Sequence, residues 1–285
     1  MNASVSSRPR RASAPLFLLG APRSGTSHLY RCLALHPRAA WISNHCRRMP
    51  ALPELAVLNR LAAKAPRTRA RLWFGDSGDE AWGYELPHPV AERWFPRPVE
   101  CDQPRARTDF RRLARAAGGD VLVLKVIAHD VRIPQLAAMF PDARFVAVTR
   151  DGRAVARSLL YVDWWPDHPL WWWEGTPIDW ASTGHNPVDA AAEHWVREVA
   201  LIEHGLVGLA PERVRRVSYE DLVTTPHQVL EEVAEFAGLG TDPGWHRALE
   251  HVSFLDRNRR VPHDHVYERA TVVQESMLTA MGYRP

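Results

Sequence analysis

Three short runs of nearly continuous apolar residues, Pro15–Leu19, Val121–Val126 and Arg144–Thr149, most constrain what this chain can fold into. A strand with one face in water alternates polar and apolar residues. A continuous run belongs to a strand buried on both faces, as in parallel sheets covered by helices. Helical patterns lie between the runs. Residues 107–117 read as a helix stopped by Gly118-Gly119, residues 131–140 as a second before the Pro141-Asp142 turn, and residues 152–160 as a third opened by Asp151-Gly152. Further strands are expected at 39–43 and 213–218. Further helices are expected at 53–64, at 187–209, from Thr225 as cap with Pro226 in the first turn to about Gly238, and at about 266–281. The fold class that follows is α/β, with a central parallel β-sheet flanked by helices on both faces.

With 285 residues, no repeats and no clear linker, one domain over 14–285 is expected, after an Arg/Ser-rich, disordered lead-in at 1–13. The formal net charge is only +3, which gives no sign of a nucleic-acid binder. Three widely spaced cysteines, Cys32, Cys46 and Cys101, suit neither a disulfide framework nor a zinc site, and a reducing cytoplasm is the simplest setting. No run approaches the ~20 apolar residues of a membrane span. Residues 65–107 are irregular and rich in Pro, Trp and Arg, as expected of a lid or substrate wall. Residues 161–186 hold six tryptophans, Trp164, Trp165, Trp171, Trp172, Trp173 and Trp180. They suit either an acceptor with apolar or ring faces, such as a sugar or aromatic natural product, or a hydrophobic clasp on a long loop.

After the first run comes a loop, Gly20-Ala-Pro-Arg-Ser-Gly25, then a helix with Leu29, Cys32 and Leu33 on one side. A strand–loop–helix of this kind offers backbone N–H groups and the positive helix end to an anion. Gly25 allows close approach, Ser24, Thr26 and Ser27 supply hydroxyls, and Arg23 supplies a fixed fork of charge. Gly20 and Gly25 keep the spacing of the nucleotide-hydrolase loop, but Thr26 stands where that loop needs Lys. A second anion site is expected at Arg150, at a strand end, with Ser158 two turns into the following helix. Both sites fall at the C-terminal ends of parallel strands, where open α/β sheets bind ligands. Only Lys64 and Lys125 are lysines, which singles out Lys125 at another strand end.

Gly20-Ala-Pro-Arg-Ser-Gly-Thr-Ser27 resembles the 5′-phosphosulfate loop of sulfotransferases. Phe145-Val-Ala-Val-Thr-Arg-Asp-Gly-Arg-Ala-Val-Ala-Arg-Ser158 resembles their 3′-phosphate segment. Val217-Ser-Tyr-Glu-Asp-Leu222, Pro226 and Phe236-Ala-Gly-Leu239 are similar to their C-terminal strand and helix. The resemblance implies a bacterial-type sulfotransferase with a P-loop-like fold. It would use 3′-phosphoadenosine 5′-phosphosulfate (PAPS) as co-substrate, without a metal. The acceptor would be a hydroxyl, or second an amine, of a carbohydrate, lipid or small natural product. Arg23, Ser24, Gly25, Thr26 and Ser27 would hold the 5′ end, and Arg150 and Ser158 the 3′-phosphate. Lys125 would contact the bridging oxygen or sulfonate. Arg257-Asn-Arg-Arg260 is either the family's late basic loop or a solvated charge run.

Removal of the acceptor proton asks for a general base. Where several sulfotransferases carry Glu, this chain has Ser43-Asn44-His45. Where others carry His, two residues after the strand-end Lys, it has Ile127. The candidates are His45 and Glu80, then Glu85 and His129; His28 is expected to pack. Two other readings stand beside the enzyme: a P-loop kinase or nucleotide hydrolase, and a non-catalytic nucleotide-binding protein of the same fold. Mg²⁺-dependent ATP binding would mark the first, and PAPS binding without turnover the second.

Overall fold

The computed structural model describes residues 14–41, 57, 103–125 and 132–284. Five strands form one parallel sheet: β1 (Leu16–Leu19), β2 (Ala39–Ala40), β3 (Val121–Lys125), β4 (Arg144–Thr149) and β5 (Val214–Ser218), in the order β2-β3-β1-β4-β5. The order reverses at β1, which pairs with β3 on one side and β4 on the other. The register sets Leu18 beside Lys125, Leu19 beside Ala147 and Thr149 beside Ser218. Lys125, the loop after Leu19, Arg150 and Tyr219 therefore leave the sheet at one edge, beside the point where ligands meet such sheets.

Successive side chains of β1 point to opposite faces, and both faces are buried. Phe17 and Leu19 join a core with Leu122, Leu124, Phe145 and Ile202. Leu16 and Leu18 join another with Leu29, Leu33, Val146 and Leu230. The helices packed into these two cores are α1 (Thr26–Ala34), α2 (Gln103–Ala117), α3 (Ile133–Met139), α6 (Pro187–Leu206) and α8 (Pro226–Ala237). The doubly covered sheet read from the apolar runs is the fold observed.

Element ends differ from the sequence reading where tertiary contacts intervene. The strand expected at 39–43 is confined to Ala39–Ala40 among the described residues, and α6 stops at Leu206. Thr225 precedes α8 but does not cap it, because its hydroxyl donates to the Asp221 carbonyl at 3.1 Å. Pro226 and the left-handed Gly238 frame that helix as expected. Three short helices that carried no periodic signal are present: α5 (Pro177–Ser182), α7 (Tyr219–Thr224) and α9 (Pro243–Leu249). The helix expected at 53–64, of which only Val57 is described, and the segment 65–102 lie outside the described residues.

A third core joins α4 (Gly152–Leu160), α6 and α10 (His265–Ala280) to the Trp-rich strap that follows α4. Trp165 is buried there. Trp171 donates its indole N–H to Glu198 at 2.7 Å, and Trp172 donates to His194 Nδ1 at 3.2 Å. The clasp reading therefore holds for most of these rings. His194 and Glu198 are themselves almost fully buried. Burial pushes the His194 imidazole down to about 3, with the nearby His168 adding to the effect. Burial pushes the Glu198 carboxyl up to about 7, against the Trp171 hydrogen bond. The two side chains approach to 3.7 Å, but in mildly acidic solution, between those two values, both are mainly uncharged, and at no pH are both mainly charged, so the contact is no ion pair.

A raised carboxyl pKa means that the folded chain keeps a proton the unfolded chain releases. Its stabilisation is complete below about 4.5 and lost as pH rises through about 7. Glu198→Gln preserves an acceptor for Trp171 and removes this titration. Relative to the parent, the variant should gain about 2 kcal/mol of stability between pH 5 and pH 8, read from urea midpoints. A difference that does not change with pH would contradict the neutral buried acid.

Candidate functional site

The loop after β1 is shaped by close approach. A Cβ on Gly20 would lie 2.6 Å from the Val148 carbonyl oxygen, and one on Gly25 would lie 2.7 Å from the Tyr219 ring. Arg23 is the one non-glycine residue with positive φ (71°) among the described residues, a conformation worth roughly 1–2 kcal/mol of strain. Ser24 N–H donates to Ala21 O at 3.1 Å and closes the turn. Gly25, at φ 92°, opens α1, whose first turn carries no acidic residue and no side-chain cap. The early N–H groups of a helix need acceptors, and here none comes from a capping side chain. The Ser24 hydroxyl is fully buried and lacks a hydrogen-bond partner among the described residues.

Cations gather around this helix end. Lys125, 4% exposed, donates to Ser27 Oγ at 2.8 Å. Arg150, 6% exposed, donates to the Arg23 carbonyl at 3.0 Å and to Asn258 Oδ1 at 2.8 Å, with its guanidinium 4.4 Å from the centre of the Tyr219 ring. Arg23 reaches over to donate to Ser158 Oγ at 3.0 Å. The loop and the Arg150–Ser158 segment, expected as two anion sites, are thus directly joined. A pocket of about 340 Å³ opens between them, lined by Arg23, Lys125, Arg150 and Arg257 and, farther along, by Arg31.

The field in this pocket is positive. Burial disfavours the Arg150 charge; Tyr219 and Glu220 favour it, and Arg23 and Arg257 oppose it. His28 also lines the pocket. Burial, then Arg31 and Arg257, hold it down to about 4, so it is neutral at physiological pH. Its ring meets Phe254 edge-on at 5.0 Å, which bears out the expectation that it packs. An anion in the pocket would offset the mutual repulsion of these cations.

The β5 end holds the far wall. Tyr219 OH donates to Leu255 O at 3.1 Å and accepts from Arg257 N–H at 3.2 Å. Glu220 accepts from Asp151 N–H at 3.1 Å, Asn258 Nδ2 at 2.5 Å and Tyr283 OH at 3.0 Å. Within the basic segment 257–260, Arg257 lines the pocket while Arg259 and Arg260 are exposed, Arg259 pairing with Asp256 at 3.2 Å. The solvated-run reading fits Arg259 and Arg260, while Arg257 stands in the pocket wall.

Arg23, Ser24, Gly25, Thr26, Ser27, Lys125, Arg150 and Ser158 are all brought to this one edge, with Gly25, Thr26 and Ser27 in the pocket wall. Asp151 caps α4 by accepting from Arg153 N–H at 2.9 Å. His45, Glu80, Glu85 and His129 lie outside the described residues. Sequence reading missed the tethering roles of Tyr219, Glu220 and Asn258. Tyr219 and Glu220 carried only the signal of position after a strand end, and Asn258 only its place within a basic segment. It also left open that Trp164 lines the pocket. Among the described residues, no three His, Cys, Asp or Glu side chains come together as a metal site, and no helix is long and apolar enough to cross a membrane.

A family model described as the sulfotransferase family matches residues 15–243. A curated relative, the protein-tyrosine sulfotransferase of Drosophila melanogaster, is 22% identical over 275 residues, covering 94% of this chain. The chain spans 46% of that relative's length. Among solved structures, the sulfotransferase STF9 of Mycobacterium avium superimposes with a TM-score of 0.59 at 18% identity, over 96% of this chain and 78% of the other. Mouse sulfotransferase SULT7A1, solved with PAP, gives a TM-score of 0.50 at 11% identity, over 95% and 84%.

Tyr219→Phe keeps the ring under Arg150 and removes only the hydroxyl bridge. It should cost about 1 kcal/mol and raise amide exchange at residues 255–258, seen by hydrogen–deuterium exchange. Unchanged protection of that segment would mean that other contacts hold it.

Proposed function

The chain belongs to the sulfotransferase family, and on that footing we propose that it transfers a sulfuryl group from PAPS to a hydroxyl of a carbohydrate, lipid or small natural product. The observation that carries this reading is the uncapped start of α1, whose Gly25, Thr26 and Ser27 line one pocket together with Arg23, Lys125 and Arg150. A donor with a phosphosulfate at one end and a phosphate at the other matches a positive site of this extent. Arg23, Ser24, Gly25, Thr26 and Ser27 hold the phosphosulfate, and Arg150 and Ser158 hold the 3′-phosphate. Arg257 adds charge at that end. The mouse protein of the same fold was solved with PAP, which supports the same donor here.

In the transfer, the bond between sulfur and the bridging oxygen breaks, and its electron pair stays on the 5′-phosphate of the departing PAP. A new bond forms between sulfur and the acceptor oxygen, whose proton leaves to a base. Negative charge grows on the bridging oxygen. Lys125, which donates to Ser27 Oγ at the start of α1, would meet that charge, with the positive end of the helix adding to it. A cation already fixed by packing stabilises that charge without reorganisation. His45 and Glu80 are the proposed proton acceptors.

Arg23→Ala and Arg150→Ala should each weaken PAP binding by about 10- to 100-fold, the worth of one charged hydrogen-bonding group. Lys125→Ala should lower kcat by about 100-fold or more while changing PAP affinity less. Calorimetric titration with PAP reads the first effect, and transfer of radiolabelled sulfate from PAPS to an acceptor panel reads the second. Near-parental PAP binding by both arginine variants would overturn the site assignment, and an unchanged kcat would remove Lys125 from the chemistry.

A further inference from the structure

Five of the six strap tryptophans have structural work. Trp165 is buried against His194, Trp171 and Trp172 donate to Glu198 and His194, Trp173 packs edge-on to Trp180, and Trp180 donates to the Asn186 carbonyl at 3.1 Å. Trp164 differs. It is 44% exposed and is the one residue of the strap that lines the cationic pocket. Edge-on contacts with Trp165 (6.2 Å) and His168 (5.2 Å) hold its ring from behind. A rigid indole partly open beside a transfer site is a platform for a flat apolar face, because ring stacking adds attraction at little entropic cost.

The charge pattern narrows the ligand further. Residues 158–186 contain no Lys or Arg and four carboxylates, Asp163, Asp167, Glu174 and Asp179, in a chain that is net positive; the next two, Asp189 and Glu193, lie on α6 and pair with Arg269 and Arg197. Asp163 and Asp167, which flank Trp164 in sequence, and Glu174 are exposed. The pocket wall is built largely from Arg and Lys, whereas the strap brings Trp164 to that wall and carries its carboxylates on the surface beside it. Bound donor would neutralise the cations of its own end and leave the strap's field negative.

We propose that Trp164 is the acceptor platform and that the strap selects an acceptor with a flat sugar or aryl face that is neutral or cationic, and rejects an anionic one. This rests on the sulfotransferase reading above and adds the acceptor's chemistry to it. Carboxylates accept hydrogen bonds from hydroxyls or ammonium groups, but repel a carboxylate or a sulfate ester. A product that has gained a sulfate is itself anionic, so the same field favours its release.

The test uses the full chain saturated with PAP and three matched probes, p-nitrophenyl β-glucoside, β-glucosaminide and β-glucuronide, read by saturation-transfer NMR and by sulfate transfer from PAPS. Calorimetric PAP affinity is measured in parallel. The glucoside and glucosaminide should bind at least about tenfold more tightly than the glucuronide. Trp164→Ala should weaken both about tenfold with PAP affinity unchanged, and Trp164→Phe should restore most of the loss, as expected of ring stacking. Equal or tighter glucuronide binding, unchanged acceptor binding in Trp164→Ala, or no binding by any probe with PAP bound would each overturn the proposal. Failure of the parent protein to bind PAP would instead overturn the sulfotransferase reading beneath it.

Discussion

The buried guanidinium of Arg150 is the contact on which the site depends. At 6% exposure it has given up most of its hydration, a cost that only close partners can offset. Those partners come from three separate parts of the chain: the Arg23 carbonyl in the first loop, Asn258 in the late basic segment, and Tyr219 at the end of β5. Glu220 then ties Asn258 to the Asp151 amide and to Tyr283. One charge at a strand end thereby fixes the relative positions of the loop, the far wall and the C-terminal helix.

The same arrangement explains why the pocket calls for an anion. Glu220 favours the Arg150 charge, but Arg23 and Arg257 oppose it, and Lys125 stands across the loop. The first turn of α1 adds its dipole without a capping acid. A fold could relieve this repulsion by placing carboxylates in the pocket. Here no carboxylate lines the pocket among the described residues, and Glu220 stands behind the wall, held to Asn258 and the Asp151 amide. The strand order brings this about, because β3, β1, β4 and β5 deliver Lys125, the loop, Arg150 and Tyr219 side by side.

Much of this was legible in the sequence. The apolar runs gave β1, β3 and β4 because strands buried on both faces cannot alternate, and Gly20 and Gly25 marked the loop because no other residue tolerates those approaches. The joining of Arg23 to Ser158 was not legible, since it depends on two side chains 135 residues apart in sequence. Tyr219 and Glu220 looked like ordinary strand-end residues. Their function as tethers follows from where residues 255–258 return to the sheet, which no local pattern encodes. The buried Glu198 was equally hidden, because a carboxylate in an amphipathic helix reads as solvent-facing until the tryptophan strap covers it. The short helices α5, α7 and α9 escaped notice because six or seven residues give too little periodicity to count.

Calorimetric titration of the full chain with 3′-phosphoadenosine 5′-phosphate in the absence of Mg²⁺, against ATP with Mg²⁺, tests the central claim most directly. Thr26 in place of a nucleotide-hydrolase lysine, together with the cations of both segments, predicts micromolar binding of the bisphosphate and little binding of ATP. A preference for Mg²⁺–ATP would mean that the joined site serves a triphosphate, and the sulfuryl-donor assignment of Arg23, Lys125, Arg150 and Ser158 would be wrong.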